Sequence, residues 1–409
     1  MKNRRSMVVV FTLLLSASQV AGRCSGAQTP AAASSEAVAG VLQRFVDNGT
    51  VAGIVTLVAS GDKILDVEAV GYADLAAKKP MRGDCLFWIA SMTKPITATA
   101  LMMLVDEGKV NIDDAVEKYL PEFRGQMFIA EQDKDHVLLK KPRRPISIKN
   151  VLSHTSGLLY KSPIQQPTLD QFPLGVRVRS YAMLPLQFEP GSKFLYSSAG
   201  INTAGRIIEV VSGMPYEEFL SRRILAPLGM KDTTFRPDAE QMRRLAKSYK
   251  RKADKTGLEE TPINQLEYPL DDRQRQPIPG SGLFSTASDI SLFCRMILGG
   301  GVFRGRRYLS EKSLHQMTTT QTGDLLGKGA GKGGYGLGWF TVKTAPGEGR
   351  RPIVGKCNHG GSYKTAMWID PERQRIMVFM TQLEDPNGQT TEKLFNTFKK
   401  AAGEAFGGE

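Results

Sequence analysis

The sequence predicts an α/β (α+β) fold: one antiparallel sheet flanked by N- and C-terminal helices, with a second, mainly helical lobe. Three observations predict it. Strand-like apolar runs lie near both ends of the chain, whereas the middle, about 112–270, carries helix signals and proline-bounded loops. Amphipathic helical patterns lie at 35–47 and 391–406. The 409 residues, 41% of them hydrophobic, are enough for a large core in one domain or two interleaved ones.

The N-terminal elements follow from hydrophobic periodicity. Apolar residues at helical spacing predict a helix over 35–47, and two strand-like runs follow at 51–60 and 63–70. A Gly-Asp pair between these runs indicates a hairpin turn. An apolar helical run then begins at Ser91 and ends near Gly108, which suits a helix C-cap.

The later elements are read in the same way. The clearest helical stretches of the middle are 201–212 and 216–224. Strand patterns return at 338–342, 365–369 and 376–383. Strands from both ends can therefore pair into one sheet that carries the terminal helices on one face.

We accordingly expect a single domain over 36–405. Its sheet lobe would comprise about 36–111 and 271–405, and its helical lobe about 112–270. A cleft between two such lobes is a common place for a site.

The first 27 residues have the pattern of a secretory signal. Basic residues precede the apolar stretch Met7–Leu15, and small residues follow it. Cleavage after Gly22 or after Ala27 fits this pattern. We expect residues 28–35 to be a flexible tether and the protein to be exported, periplasmic or secreted.

Cysteine usage fits an exported chain that does not depend on disulfides. Cys24 raises the alternative of a lipoprotein anchor, but Arg23 occupies a position where such signals need a small residue. Beyond residue 27 the cysteines are Cys85, Cys294 and Cys357, an odd number that leaves at least one free thiol. We expect them to be buried as small apolar residues.

The chain is basic, with a formal charge of +13. Four of these charges lie in the first 27 residues, so the remainder is near +9. Basic residues cluster at 134–144 and 243–255. Export and the scarcity of interleaved aromatic residues argue against nucleic acid as a partner. We expect a solvated surface, with weak association to an anionic envelope surface as the alternative.

The stretch Ser91-Met92-Thr93-Lys94 places a hydroxyl three residues before an amine at the start of a helix. Positions i and i+3 share a helix face. A lysine whose pKa is lowered by burial can take the proton of such a serine, which activates a nucleophile without histidine or metal. The second Ser-x-x-Lys, Ser60 to Lys63, lies in the predicted hairpin turn and is not favoured.

Two further motifs offer partners for Ser91. Tyr196-Ser197-Ser198 follows a Pro-Gly turn, and its phenol and second hydroxyl could relay a proton. His359-Gly360-Gly361-Ser362 precedes a strand, and paired glycines allow close backbone approach to a ligand. The backbone N–H groups of Ser362 and Ser91 could together hold an oxyanion. A packing tyrosine and an ordinary strand-entry turn are the alternatives.

In chain order, these motifs resemble those of the serine β-lactamase-like superfamily. That superfamily includes class C β-lactamases, family VIII carboxylesterases, D-aminopeptidases and D-alanyl-D-alanine carboxypeptidases. The resemblance covers about 36–405 and implies a β-lactamase/transpeptidase-like fold. Supporting phrases occur at 106–109, 119–123, 152–158, 280–286 and 335–339. A rival Tyr-x-Ser at Tyr160 lacks the Pro-Gly lead-in.

The resemblance implies roles for the motif residues. Ser91 would attack a carbonyl and form an acyl-enzyme, with Lys94 and Tyr196 sharing general base and acid work. The oxyanion- and substrate-binding set would be Ser91, Ser198, His359, Gly360, Gly361 and Ser362. No metal or cofactor is implied. The substrate would be a small ester, amide or peptide, and water or another nucleophile would release the acyl group.

The chain departs from the β-lactamase pattern at two positions. Ser198 stands where those enzymes usually have asparagine, and His359 where they usually have lysine. Because a histidine is largely neutral at pH 7, it would bind a substrate carboxylate less well. We therefore expect ester or amide substrates and weak β-lactamase activity. The alternatives are an acyltransferase, a true β-lactamase or DD-peptidase, and a non-catalytic cell-wall-binding scaffold.

His154 invites a catalytic-triad or metal interpretation. The chain has four histidines, and their spacing does not suit a metal. We predict a structural, hydrogen-bonding role for His154.

Overall fold

The computed structural model describes residues 30–254, 256–326, 333–342, 353–385 and 389–407, with side chains described from residue 36 and, in the last helix, from residue 392. The predicted signal segment 1–27, Cys24 and the first two residues of the predicted tether lie outside these ranges. Within them, no helix is long and apolar enough to cross a membrane.

The central sheet is antiparallel throughout and contains eight strands. They are β1 Gly53–Ala59, β2 Ile64–Asp74, β3 Lys79–Pro80, β4 Gly333–Tyr335, β5 Phe340–Val342, β6 Cys357–Gly360, β7 Ala366–Asp370 and β8 Arg375–Met380. Their order, β4-β5-β6-β7-β8-β1-β2-β3, places N- and C-terminal strands side by side, and Thr56 in β1 lies opposite Phe379 in β8. The predicted pairing of strands from the two ends is thereby confirmed.

Helices cover both faces of this sheet and fill the middle of the chain. They are α1 Pro30–Asp47, α2 Thr93–Asp106, α3 Ile148–Leu152, α4 Leu174–Ala182, α5 Ser198–Ser212, α6 Tyr216–Leu220, α7 Ala226–Leu228, α8 Ala239–Arg244, α9 Ala287–Leu298, α10 Glu311–Thr318 and α11 Gln389–Phe406. A π-helical turn, Ser221–Leu225, joins α6 to α7, and 3₁₀ turns lie at Ala90–Met92, Val116–Lys118 and Pro121–Phe123.

The two terminal helices pack on the same face of the sheet, as the sequence predicts. Leu42 of α1 and Phe398 of α11 share a fully buried apolar cluster with Ile54 and Phe379. The larger core lies on the opposite face, where α2 and α9 are buried against the sheet. This arrangement places the N-terminus of α2, which carries the Ser-x-x-Lys motif, in the interior.

Several predicted boundaries differ from the structure. The first helix begins at Pro30 rather than at 35, because proline suits the first helical position and the following alanines favour helix. The strand predicted at 338–342 begins at Phe340, because Gly338 has a left-handed backbone (φ +84°). The strand predicted at 376–383 ends at Met380.

Short strands that lacked an alternating apolar pattern were missed. Strands β4 and β6 are rich in glycine and polar residues, and a hairpin of Phe128–Gln132 and Val137–Lys140 interrupts the predicted helical lobe. The remaining short strands are Phe87–Trp88, Phe284–Ser285, Tyr249–Arg251, Leu258–Glu260, Val302–Phe303, Arg306–Arg307 and Leu383–Glu384. The cysteines Cys85, Cys294 and Cys357 are free and buried, as expected.

Candidate active site

Ser91 lies in a constrained turn at the entrance to α2. Ala90, directly before it, adopts a left-handed conformation (φ +44°) that a residue with a side chain rarely tolerates. The hydroxyl of Thr93 donates to the carbonyl of Ala90 at 2.7 Å and closes the turn. Ser91 was expected on the helix itself, but it lies in the 3₁₀ turn before α2.

Lys94 is fully buried, and its side-chain nitrogen contacts three oxygens. Nζ lies 3.1 Å from Ser91 Oγ, 3.3 Å from Ser198 Oγ and 2.7 Å from the carbonyl oxygen of Gly280. No carboxylate of the described chain lies within salt-bridge distance of it. Burial alone lowers the pKa of Lys94 from 10.5 to about 7.

The three contacts fit a neutral amine, which has two N–H donors and one lone pair. The Gly280 carbonyl can only accept a hydrogen bond, so it takes one N–H. The hydroxyl of Ser198 can take the second. The lone pair is then available to accept the proton of Ser91.

Tyr196 faces the same two groups. Its phenol lies near the Ser91 hydroxyl, and Lys94 Nζ lies 4.7 Å from its ring centroid. Burial raises the pKa of Tyr196 well above its usual value, and the interaction with the Ser91 hydroxyl only partly opposes this. The phenol therefore keeps its proton at neutral pH.

The loop that carries Tyr196 is fixed by the start of α5. Ser197 caps this helix, because its hydroxyl accepts from the N–H of Gly200 at 3.0 Å and donates to the carbonyl of Leu159 at 2.7 Å. Ser198 is the first helical residue and points to Lys94. The structure thus brings Ser91, Lys94, Tyr196 and Ser198 together.

The His359–Ser362 segment lies against the backbone just before Ser91. A side chain on Gly361 would place its Cβ 2.5 Å from the carbonyl oxygen of Ile89 and 2.3 Å from Thr365 Oγ1, so only glycine fits. The N–H of Gly361 is bonded to the Thr365 carbonyl at 2.7 Å. The N–H of Ser362 has no acceptor in the described part of the chain.

His359 does not present a free ring to the cleft. Its side chain is 1% exposed, Nδ1 lies 3.0 Å from the carbonyl oxygen of Gly360, and Nε2 lies 3.3 Å from Tyr335 Oη. Burial, reinforced by the nearby Lys94, lowers the pKa of His359 to about 3. The imidazole is therefore neutral throughout the physiological range.

His154 belongs to the same buried group and has the predicted hydrogen-bonding role. Its Nδ1 accepts from the backbone N–H of Ser197 at 3.1 Å, and its Nε2 lies 3.0 Å from Tyr335 Oη. The rings of His154 and Tyr196 lie 4.5 Å apart. Burial, with a contribution from Lys94, lowers the pKa of His154 well below its usual value.

Sequence reasoning missed three contributors. Tyr335 and Gly280 occur in phrases that support the resemblance, but only the structure shows their contacts with His359 and Lys94. Asn202 lies one turn after Ser198, where its Oδ1 accepts from the N–H of Gly280 at 3.0 Å. The i, i+4 spacing of Ser198 and Asn202 was the available signal.

A cavity of about 390 Å³ is lined in part by Tyr160, whose ring stacks on Tyr196 at a centroid separation of 6.5 Å. Ser91, Lys94 and Tyr196 themselves do not line it. The other lining residues are Lys161, Pro167, Leu169, Asn264 and Gln265. The rejected Tyr-x-Ser motif thus lies at the edge of the site. Among the described residues, no group of three or more His, Cys, Asp or Glu could hold a metal.

Comparison with known proteins agrees with this geometry. The Beta-lactamase family model matches residues 38–402. The chain belongs to the beta-lactamase family. It is 34% identical over 369 residues to Protein Rv1367c of Mycobacterium tuberculosis, covering 83% of this chain and 88% of that one. Esterase EstB of Burkholderia gladioli is 36% identical over 195 residues, 45% of this chain and 47% of the esterase.

Solved structures of the family share the fold. EstCE1, described as a hydrolase with promiscuous acyltransferase activity, superimposes with a TM-score of 0.74 at 25% identity, over 91% of this chain and 98% of EstCE1. Simvastatin synthase LovD of Aspergillus terreus, a mutant form, gives 0.73 at 21% identity over 94% of this chain and 100% of LovD. These relatives support a hydrolase of the serine type within the β-lactamase/transpeptidase-like fold.

Proposed function

We propose that this protein is an exported serine hydrolase that cleaves an ester or amide through an acyl-enzyme on Ser91. The observation that carries the proposal is the contact of Ser91 with Lys94, a fully buried amine whose pKa is about 7. A neutral amine next to a serine hydroxyl is the arrangement that nucleophilic catalysis without histidine requires.

In the acylation step Lys94 is the general base. Its lone pair accepts the proton of Ser91 as Oγ bonds to the substrate carbonyl carbon. Tyr196 stays protonated because burial raises its pKa, so it donates a proton to the leaving alcohol or amine as that bond breaks. The Lys94 ammonium then returns its proton to the phenolate, which restores both groups.

In deacylation the same two groups act again. Water attacks the acyl carbonyl and gives its proton to the neutral Lys94 amine, while Tyr196 donates its proton to Ser91 Oγ as the bond from the acyl carbon to Oγ breaks. The Lys94 ammonium then returns its proton to the phenolate. The Ser198 hydroxyl and the Gly280 carbonyl hold the Lys94 nitrogen in place through both steps. The N–H groups of Ser91 and Ser362 are the proposed oxyanion donors, supported by the close approach of Gly361 to Ile89.

The proposed substrates lack a carboxylate beside the scissile bond. His359 is neutral, and both of its ring nitrogens lie at hydrogen-bonding distance from groups inside the protein, so it offers no cation at the position where β-lactamases usually have lysine. A cavity of about 390 Å³, lined by Tyr160, whose ring stacks on Tyr196, is within the size range for small-molecule sites. Short neutral acyl esters or amides fit both observations.

A matched pair of substrates tests this proposal. The purified mature protein should hydrolyse p-nitrophenyl butyrate at least tenfold more efficiently, in kcat/KM, than the mono-p-nitrophenyl ester of glutaric acid, and should turn over nitrocefin slowly. Ser91→Ala should abolish turnover, whereas Ser60→Ala, in the other Ser-x-x-Lys, should not change it. Rapid nitrocefin turnover with poor ester cleavage would contradict the proposal.

Acyl transfer is the second candidate, favoured by the likeness to EstCE1. Added methanol or a primary amine should then give the acyl ester or amide in place of the acid in product analysis by mass spectrometry. Acid as the only product would assign hydrolysis. A protein that turns over no ester, amide or lactam would instead be a binding scaffold on this fold.

Export and envelope association are proposed on separate grounds. The charge and hydropathy pattern of residues 1–27 supports export, and N-terminal sequencing of the mature protein checks it.

The hairpin Phe128–Gln132/Val137–Lys140 exposes three consecutive apolar side chains, 51%, 46% and 40% exposed from Val137 to Leu139, next to Lys141 and Arg143. The acids of the hairpin each lie near a basic group of the same hairpin. Weak binding to anionic phospholipid is therefore proposed.

Vesicle flotation tests the envelope proposal. Phosphatidylglycerol vesicles should retain the protein and phosphatidylcholine vesicles should not. Lys141→Glu with Arg143→Glu should reduce binding, whereas Lys312→Glu on exposed α10 should reduce it less. Equal binding by all forms would contradict it.

A further inference from the structure

A chain of hydrogen bonds through His154, Tyr335 and His359 crosses the site behind Tyr196. All three side chains are buried, with exposures of 1% or less. One end is the backbone N–H of Ser197, and the other is the carbonyl of Gly360. The intervening distances are 3.0 and 3.3 Å.

The two ends fix the position of every proton in this chain. A backbone N–H can only donate, so His154 Nδ1 accepts and the neutral ring carries its proton on Nε2. A carbonyl can only accept, so His359 carries its proton on Nδ1 and its Nε2 accepts. Tyr335 must therefore accept from His154 and donate its single proton to His359.

The chain connects the two segments that flank Ser91. Ser197 lies between Tyr196 and Ser198, and Gly360 lies two residues before Ser362, whose N–H has no acceptor among the described residues. Tilted ring contact with His154, at a centroid separation of 4.5 Å, also limits the position of the Tyr196 ring. The general acid and an oxyanion donor thus depend on one hydrogen-bonded connection.

Both imidazoles must remain neutral for this connection to exist. If His359 were protonated, its Nε2 would carry a hydrogen and could no longer accept the hydrogen bond from Tyr335. The titratable groups that face the two rings are Lys94, Tyr196, Tyr335 and the other histidine, and none of these is an anion. Burial opposes protonation of either ring, and so does the positive charge that Lys94 carries below its pKa of about 7.

We infer that Tyr335 is a positioning residue that, through His154 and His359, holds the Tyr196–Ser198 segment and the His359–Ser362 segment at a fixed separation around Ser91. This inference rests on the proposed function for its kinetic consequence, but the chain itself has a signature that needs no turnover. Misplacing a general acid or an oxyanion donor slows chemistry more than it weakens ground-state binding.

The kinetic test removes the oxygen of Tyr335 and keeps its ring. Tyr335→Phe should lower kcat on p-nitrophenyl butyrate by on the order of tenfold to 100-fold, with KM within about twofold. Tyr249→Phe is the matched control: its buried hydroxyl accepts from the N–H of Leu75 at 2.8 Å, and its loss should leave kcat within about twofold.

Substitutions of His359 separate positioning from packing. His359→Gln supplies a neutral carbonyl oxygen that can accept from Tyr335, so it should retain more activity than His359→Leu. The double variant Tyr335→Phe/His359→Leu should be no slower than the slower single variant, because each breaks the same chain. Additive losses, a change confined to KM, or unchanged kcat in Tyr335→Phe would overturn the inference.

The spectroscopic test uses the wild-type protein. Imidazole ¹⁵N NMR between pH 5.5 and 8 should show two neutral rings of opposite tautomer, His154 protonated on Nε2 and His359 on Nδ1. An imidazolium at His154 or His359 at pH 6, or the reverse tautomer at His359, would overturn the inference. If the protein turns over no substrate, the proposed function fails while these tautomers still decide whether the chain exists.

Discussion

Replacing Lys94 by methionine should abolish activity and yet stabilise the protein at neutral pH. The folded protein holds the pKa of Lys94 at about 7, whereas an unfolded lysine titrates near 10.5. Between these values the unfolded chain binds the proton and the folded one does not, so stability rises with pH over that window. The methionine side chain is similar in length to lysine and has no ionisable group, so folding does not require it to release a proton.

The size of the effect follows from this difference in pKa. At pH 7, deprotonating Lys94 on folding costs about 4 kcal/mol, and at pH 9.5 it costs about 1.4 kcal/mol. Lys94→Met removes that cost, but it orphans the carbonyl of Gly280, a loss of about 1–3 kcal/mol. The variant should gain about 1–3 kcal/mol at pH 7 and gain little or lose stability at pH 9.5.

Urea unfolding followed by tryptophan fluorescence at both pH values measures this difference. The difference in unfolding free energy between variant and wild type should change by about 3 kcal/mol from pH 7 to pH 9.5. This change does not depend on the orphaned carbonyl, because its cost is the same at both pH values. Lys312→Met, on an exposed face of α10, should show no such pH dependence. A Lys94→Met variant that is less stable than wild type by the same amount at pH 7 and pH 9.5 would refute a neutral buried Lys94.

Three further substitutions test one glycine of the site and two buried carboxylates elsewhere in the fold. Gly361→Ala should lower kcat at least tenfold, since its Cβ would clash with neighbouring backbone, whereas Gly403→Ala, with open space around it, should not. Asp170→Ala should cost about 3–5 kcal/mol in urea unfolding, because it leaves the guanidinium of Arg275, bonded at 2.7 Å, buried and unpaired. Burial raises the pKa of Asp289 from 3.8 to about 6, so its stability cost develops between those pH values; Asp289→Asn should gain up to about 3 kcal/mol above pH 6 and nothing below pH 4.

The sequence predicts the architecture well where hydrophobic periodicity is strong. The hairpin β1–β2, the amphipathic terminal helices and the pairing of strands from both ends follow from apolar spacing alone. It fails where strands are short and glycine-rich, as in β4 and β6, because close packing against other backbone rather than alternating burial determines their conformation.

The candidate site likewise combines features that the sequence predicts with features that only the fold creates. Local spacing offers both Ser60 with Lys63 and Ser91 with Lys94, and the order of the motifs favours Ser91 and adds Tyr196 and His359 as candidates. The contacts that set the chemistry are long-range: the Gly280 carbonyl on Lys94 and the Tyr335 hydroxyl on His359 join residues far apart in the chain. Burial, which lowers the pKa of Lys94, is likewise a property of the whole fold and is not encoded in any four-residue motif.

The most direct test of the central claim is to trap the acyl-enzyme. Intact-mass spectrometry after brief reaction with an activated ester or a fluorophosphonate should show one adduct of the expected mass, and peptide mapping should place it on Ser91. The rate of adduct formation should rise with pH through an apparent pKa near 7 as Lys94 loses its proton. An adduct on another serine, or one that forms equally well in Ser91→Ala, would contradict the account.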